Sequence, residues 1–187
     1  MQPFEFVMVV ISIIVALGVA ELLAGVARIL RGELRAYWVH ALWVLCLLIH
    51  QFQYCWSLFD LAERADWVFL DLVRLITAPI LFFLVSSLLF PSRQAEGEAG
   101  QPIDLEVFYF ETRKPIFALL TIVMTFFTLR NLGLAAVTSV QLLGVASLVV
   151  LFFSENRRVH AALSSFYTLG AIFFVVSFSY RLGESVF

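Results

Sequence analysis

The chain has 187 residues, of which 62% are hydrophobic and 14% charged, and its mean hydropathy is +0.97. Soluble domains carry about 25% charged residues, so the composition excludes an ordinary water-soluble domain and makes the lipid bilayer the first partner. A net charge of -2, without a dense Lys/Arg cluster, argues against nucleic acid or another polyanion as a partner.

A helix needs about 20 apolar residues to cross the hydrocarbon core, and six segments are candidates. The first covers 4–30. Its start, MQPFEFVMVV, lacks a positive n-region, and the apolar run outlasts the about 7 to 15 residues of a signal-peptide core, so it reads as a spanning helix. Inside it, Gly18, Glu21, Gly25 and Arg28 recur at three- and four-residue steps, which places them on one face. Beside them Ser12, Ala16, Ala20 and Ala24 form a small-xxx-small stripe that permits close backbone approach. We therefore expect this helix in the bundle interior with Glu21 at its contact, near the midplane. A carboxylate at that depth costs about 2.5 to 3.5 kcal/mol on insertion scales and needs a partner, water or a proton.

The second helix, 36–60, carries His40, Trp43, Leu47, His50 and Tyr54 along one face, with Gln51 and Gln53 beside it. His50 is expected near the midplane, at the depth of Glu21. Cys46 and Cys55 lie on this same helix, about 13 Å apart along its axis, too far to form a disulfide. They read as small apolar residues. The third helix, 66–90, contains Asp71 and Arg74, one turn apart and expected to pair locally. A cytoplasmic loop over 91–112, acidic and rich in Gly, Pro and Gln at SRQAEGEAGQP, separates the halves.

The fourth helix, 113–130, is the shortest, because its uncharged stretch Pro115–Leu129 extends over only about 22 Å. The fifth covers 133–154 and holds Gln141; the sixth covers 159–181 and holds Tyr167, Thr168 and Gly170. Three helices on each side of a linker suggest a 3+3 inverted repeat. At an offset of about 91 residues His50 aligns with Gln141, Thr77 with Thr168, and Ser86 with Ser177.

Placing the N-terminus outside gathers Arg28, Arg31, Arg35, Arg93, Arg113, Lys114, Arg157 and Arg158 on the cytoplasmic side and leaves Arg64, Arg130 and Arg181 opposite. The positive-inside rule then favours both termini outside, in what resembles the general class of small polytopic proteins of bacterial inner membranes. Trp38, Trp56 and Trp67 fall at the expected interfaces.

The fold expected is thus all-α, one membrane domain over 1–187 built of six transmembrane helices. Nucleotide-binding, zinc-protease, thiol-redox and serine-hydrolase motifs are absent, so no enzyme activity, cofactor or metal is expected. A haem pair from His40 and His160 is a minor alternative. The polar line Asp71, Arg74, Tyr54, His50, Glu21 and Arg28, with Gln51 and Gln141 beside it, suits ion or proton movement. The functional expectation is a small transporter or channel for an ion, protons or a small solute, working as a homo-oligomer or with a membrane partner. The alternative is a non-catalytic scaffold or partner subunit.

Overall fold

The computed structural model describes residues 3–92 and 101–178. Arg93, Arg181 and the centre of the linker, on which part of the charge argument rests, lie outside them. Six helices make up almost all of the described chain: α1 (Pro3–Leu30), α2 (Trp38–Ser57), α3 (Phe69–Leu89), α4 (Leu105–Arg130), α5 (Ala135–Phe153) and α6 (Arg157–Phe178). All six are long and apolar enough to cross a membrane, as in a multi-pass membrane protein. Large side chains such as Ile13, Phe52, Leu132 and Leu169 point outward, a perimeter that water would penalise and lipid does not.

The fourth helix departs from expectation. It begins at Leu105, eight residues before the predicted start, because the Asp104 carboxylate accepts a hydrogen bond from the Glu106 backbone N–H (2.8 Å) and caps it. Glu106, Glu111, Arg113 and Lys114 hide this first part from a hydropathy reading, yet they ride on one continuous helix of 26 residues. Its full length is about 39 Å, and with its charged first turns included it is among the six helices long and apolar enough to cross a membrane. Just ahead of it Ile103–Asp104 (β2) pairs in parallel with Leu34–Arg35 (β1), the short link between α1 and α2.

The chain alternates direction, so the turns 31–37 and 154–156 and the β1–β2 pair share one end of the molecule. We call it the basic end, since Arg31, Arg35, Arg113, Lys114, Arg157 and Arg158 cluster there. The far end holds the 3-10 turn Leu58–Leu61 and the turn between α4 and α5.

Neighbours do not repeat between halves. α1 lies along α3, whereas α4 lies along α5, and α2 packs on α6 across the middle. Of the residues matched at the repeat offset, Ser86 is buried and Ser177 exposed, while Thr77 is exposed and Thr168 buried. The halves share a helix count but not a packing pattern.

The core follows helical spacing. On α1, Val7, Ile11, Val15, Gly18, Leu22, Gly25 and Arg28 are buried, and this face lies against α3. Gly25 makes the close approach possible: a Cβ there would stand 2.2 Å from the ring of Phe90, well inside contact distance.

Candidate functional site

At the basic end, polar side chains are consumed by the backbone. Arg28 is buried, donating from its guanidinium to the Pro91 carbonyl (2.5 Å) and to Glu33 (3.1 Å). It therefore ties the end of α1 to the chain leaving α3, and the expectation that it belongs to an ion pathway is replaced by a clamp. Arg31 also holds Glu33 (2.5 Å), and the Arg31 and Arg28 hydrogen bonds keep that carboxyl below its usual range.

The neighbouring histidines are similarly engaged. His40 Nε2 lies 2.7 Å from the Leu89 carbonyl; a carbonyl only accepts, so this nitrogen carries the proton. His160 donates from Nε2 to the Ser154 carbonyl (3.0 Å), and its Nδ1 accepts from the Tyr109 hydroxyl (2.8 Å). The two rings thus serve separate anchors rather than forming a facing pair. Trp43 donates to Ser164 (2.9 Å), and Trp43, Tyr109, Phe117 and His160 interlock edge to face. They close the basic half of the bundle.

The predicted polar line does not assemble. Glu21 is exposed on the bundle surface and has no polar partner among the described residues. The stripe Ser12, Ala16 and Ala20 also faces outward, so α1 packs through its larger residues and its glycines, not through the small-residue stripe. Gly25 supplies the close approach at Phe90, beside α3, and Gly18 the one at Gln51 on α2, so the alanine stripe is not used for these contacts.

Asp71 pairs with Arg64 (2.8 Å) and accepts from the Val68 backbone N–H (3.1 Å), while Arg74 is exposed. The predicted Asp71–Arg74 pair is therefore corrected. Asp71 sits in the first turn of α3, where it can cap the exposed N–H groups and reach back to the preceding loop.

Gln51 is also structural. Only 1% exposed, it donates to Ser86 (3.3 Å), and its Oε1 stands 2.5 Å from where a Cβ on Gly18 would be. Here α1, α2 and α3 meet around one amide. Tyr54 serves α3 directly: its hydroxyl donates to the Leu75 carbonyl (2.5 Å). That carbonyl would normally accept from residue 79, but Pro79 has no N–H. The tyrosine replaces the bond the proline deletes.

His50, Tyr54 and Gln141, in contrast, come together on the wall of a cavity of about 130 Å³ between α2, α4, α5 and α6. It lies toward the far end, since it reaches Ser57 at the close of α2 and Val140 near the start of α5. Phe82, Phe127, Tyr167 and Phe174 form its aromatic walls. The rings lie near-parallel but offset, His50 with Tyr167 at 5.8 Å and 16°, and Phe82 with Phe127 at 6.5 Å and 24°. Gly144 and Gly170 leave room, and a Cβ on Gly170 would meet nothing within 4 Å. Leu143 on α5 and Phe166 on α6 belong both to the cavity lining and to the outer surface, at 58% and 51% exposure. The mouth therefore lies at the bundle perimeter.

The cavity's polar groups differ in how fully they are used. Ser57 donates to the Tyr54 carbonyl (2.8 Å), and the Tyr54 hydroxyl is committed to Leu75. His50 Nδ1 faces the Cys46 carbonyl (2.7 Å) and so carries the proton. Its Nε2 is then an acceptor, met only by a long contact of 3.5 Å from the Tyr167 hydroxyl. Gln141 Oε1 accepts from Asn131 at 3.4 Å, which leaves its amide NH2 as a donor.

Sequence reasoning included His50, Tyr54 and Gln141 among the site candidates and read Tyr167 only as a hydroxyl of the sixth helix suited to packing or a polar wall, while Phe127 and Phe82 carry no polar signal. Gly170 reads from the sequence as a kink point of the sixth helix, of the kind expected beside a binding site, and it lines the cavity. The chain matches no family model, no curated protein and no solved structure.

Proposed function

We propose that the protein is a small transporter or channel of a bacterial inner membrane that moves a small solute by way of the cavity among α2, α4, α5 and α6. The cavity is the observation that carries this reading: concave, mainly apolar and furnished with a few convergent polar groups, it has the composition of a small-molecule site. The basic end faces the cytoplasm by the positive-inside rule, so both termini are periplasmic and the cavity occupies the outer half of the membrane. Among the described residues, no Asp, Glu, Lys or Arg lines it. That argues for an uncharged solute over an ion, because a charge buried without a partner is expensive. Passage to the cytoplasm then requires the Trp43, Tyr109, Phe117 and His160 cluster to part.

The test is efflux from proteoliposomes preloaded with labelled uncharged solutes, from glycerol to indole, with Gly170→Leu as the filled-cavity control. Wild type speeds the loss of at least one solute, and Gly170→Leu returns that rate to the level of empty vesicles. Equal rates for wild type and variant overturn the reading.

A second reading, a partner subunit, is favoured by Glu21. An exposed carboxylate about 14 Å from the end of its helix, beside the outward-facing Ser12, Ala16 and Ala20 stripe, suits contact with another membrane helix or a second copy. Loss of a stoichiometric partner on Glu21→Gln, with solute efflux unaffected, supports that role.

A further inference from the structure

The cavity also constrains what can occupy it. Resting on the assignment of that cavity as the solute site, we infer that its ligand is an uncharged, single-ring compound bearing one hydroxyl, taken up from the lipid phase. Four observations converge on this class.

Size comes first. A dry cavity of about 150 Å³ holds one benzene-sized molecule, so the 130 Å³ here accommodates one ring with a small substituent. Shape is the second constraint. The His50–Tyr167 and Phe82–Phe127 pairs present ring faces and edges, which favour a planar guest through offset or edge-to-face contact. Gly144 and Gly170, on adjacent helices, both line the cavity; a Cβ on Gly144 would touch the Tyr167 ring at 3.4 Å and one on Gly170 would meet nothing within 4 Å.

Charge is the third. Among the described residues, the lining's ionisable groups are one histidine and two tyrosines, with nothing of fixed charge, so an ammonium or carboxylate would enter without a counter-charge. The fourth is the pattern of unused polar atoms. His50 Nε2 is an acceptor with only the long Tyr167 contact, and the Gln141 amide is a donor with its oxygen already engaged. A hydroxyl is both donor and acceptor, and so it can give its hydrogen to His50 Nε2 while its oxygen accepts from Tyr167 or Gln141. A bare hydrocarbon ring leaves these groups unmatched.

The route follows from the mouth. Leu143 and Phe166 line the cavity and face outward at the bundle perimeter, where the surroundings are acyl chains. A ring compound of this kind partitions into the bilayer and meets the opening from the side.

The experiment measures the thermal midpoint of the detergent-purified full chain against increasing phenol, benzene, benzoate and benzylammonium. Phenol is expected to raise the midpoint saturably, benzene more weakly, and the two charged rings not at all. His50→Phe is expected to weaken the apparent phenol affinity about tenfold, the effect of losing one buried hydrogen bond, and to leave benzene unchanged. Gly170→Leu is expected to abolish every saturable response; Ala171→Leu, on the same wall, takes its place if that variant does not fold. Equal responses to phenol and benzene overturn the hydroxyl assignment and leave the cavity as a site. A charged ring that binds best overturns the uncharged class. Responses that persist in both filled variants, or a complete lack of response to all four rings with solute efflux still sensitive to Gly170→Leu, overturn the ring class. Insensitivity of both binding and efflux to filling removes the cavity reading altogether.

Discussion

The basic half and the far half of this bundle use polar residues in opposite ways. At the basic end Arg28, His40 and His160 each reach a backbone carbonyl left at a helix terminus, so they hold the ends of α1, α3 and α5, and of the histidine ring nitrogens there only His40 Nδ1 stays buried without a partner among the described residues. Toward the far end, His50, Gln141 and Tyr167 surround open space and their contacts are long or incomplete. In a membrane segment a polar side chain by itself therefore says little about function. What separates a lock from a site is whether neighbouring protein has already satisfied it.

Glycines make the sharpest break in this comparison. Gly25→Ala puts a methyl group into the Phe90 ring, at 2.2 Å, and overpacking of this kind costs about 1–3 kcal/mol. Gly170→Ala adds a methyl that meets nothing within 4 Å and should leave the thermal midpoint unchanged or slightly raised. If the two alanine variants destabilise equally, the tight seam and the open cavity are not distinct.

A comparable effect is expected at the α2–α3 contact. Tyr54→Phe strips the Leu75 carbonyl of its donor, and an unsatisfied buried acceptor costs about 1–3 kcal/mol. Because the vacancy arises from Pro79, the double variant Tyr54→Phe/Pro79→Ala supplies a backbone N–H in place of the hydroxyl. Its midpoint should recover relative to Tyr54→Phe alone. A double-mutant cycle with no coupling would detach the tyrosine from the proline.

The smallest effect is at the rim of the basic end. Glu33 has a lowered pKa because Arg31 and Arg28 hydrogen-bond its charged form. A lowered folded-state value means that the stabilisation is present above the ordinary carboxyl pKa of 4.5 and disappears as pH falls through the folded value. The difference in midpoint between wild type and Glu33→Gln should therefore be constant near neutrality and vanish in acid. Glu33 is solvent-exposed, so the difference is expected to be slight.

The sequence made the helices legible because uninterrupted apolar runs are a direct consequence of solvation by lipid. It obscured the start of α4, where Glu106, Glu111, Arg113 and Lys114 extend a helix past the apolar region. Side-chain partners were less legible still. Glu21 and His50 share a depth by helical counting, and Glu21 shares a stripe with Gly18, Gly25 and Arg28, but those three are buried while Glu21 is left exposed at the edge of the stripe. Asp71 chose Arg64, across the loop, over Arg74 one turn away, because the first-turn N–H at Val68 and the loop arginine lie on the same side of it. The cavity was hidden for a different reason: its walls are ordinary phenylalanines from separate helices, and empty space leaves no mark in a sequence.

The most direct measurement is solute efflux from proteoliposomes containing Gly170→Leu or Glu21→Gln, each compared with wild type at equal protein density. If function resides in the far-half cavity, Gly170→Leu abolishes the protein-dependent flux and Glu21→Gln preserves it. Flux that survives filling of the cavity but is lost with the Glu21 carboxylate would contradict the account and return the pathway to the surface of α1.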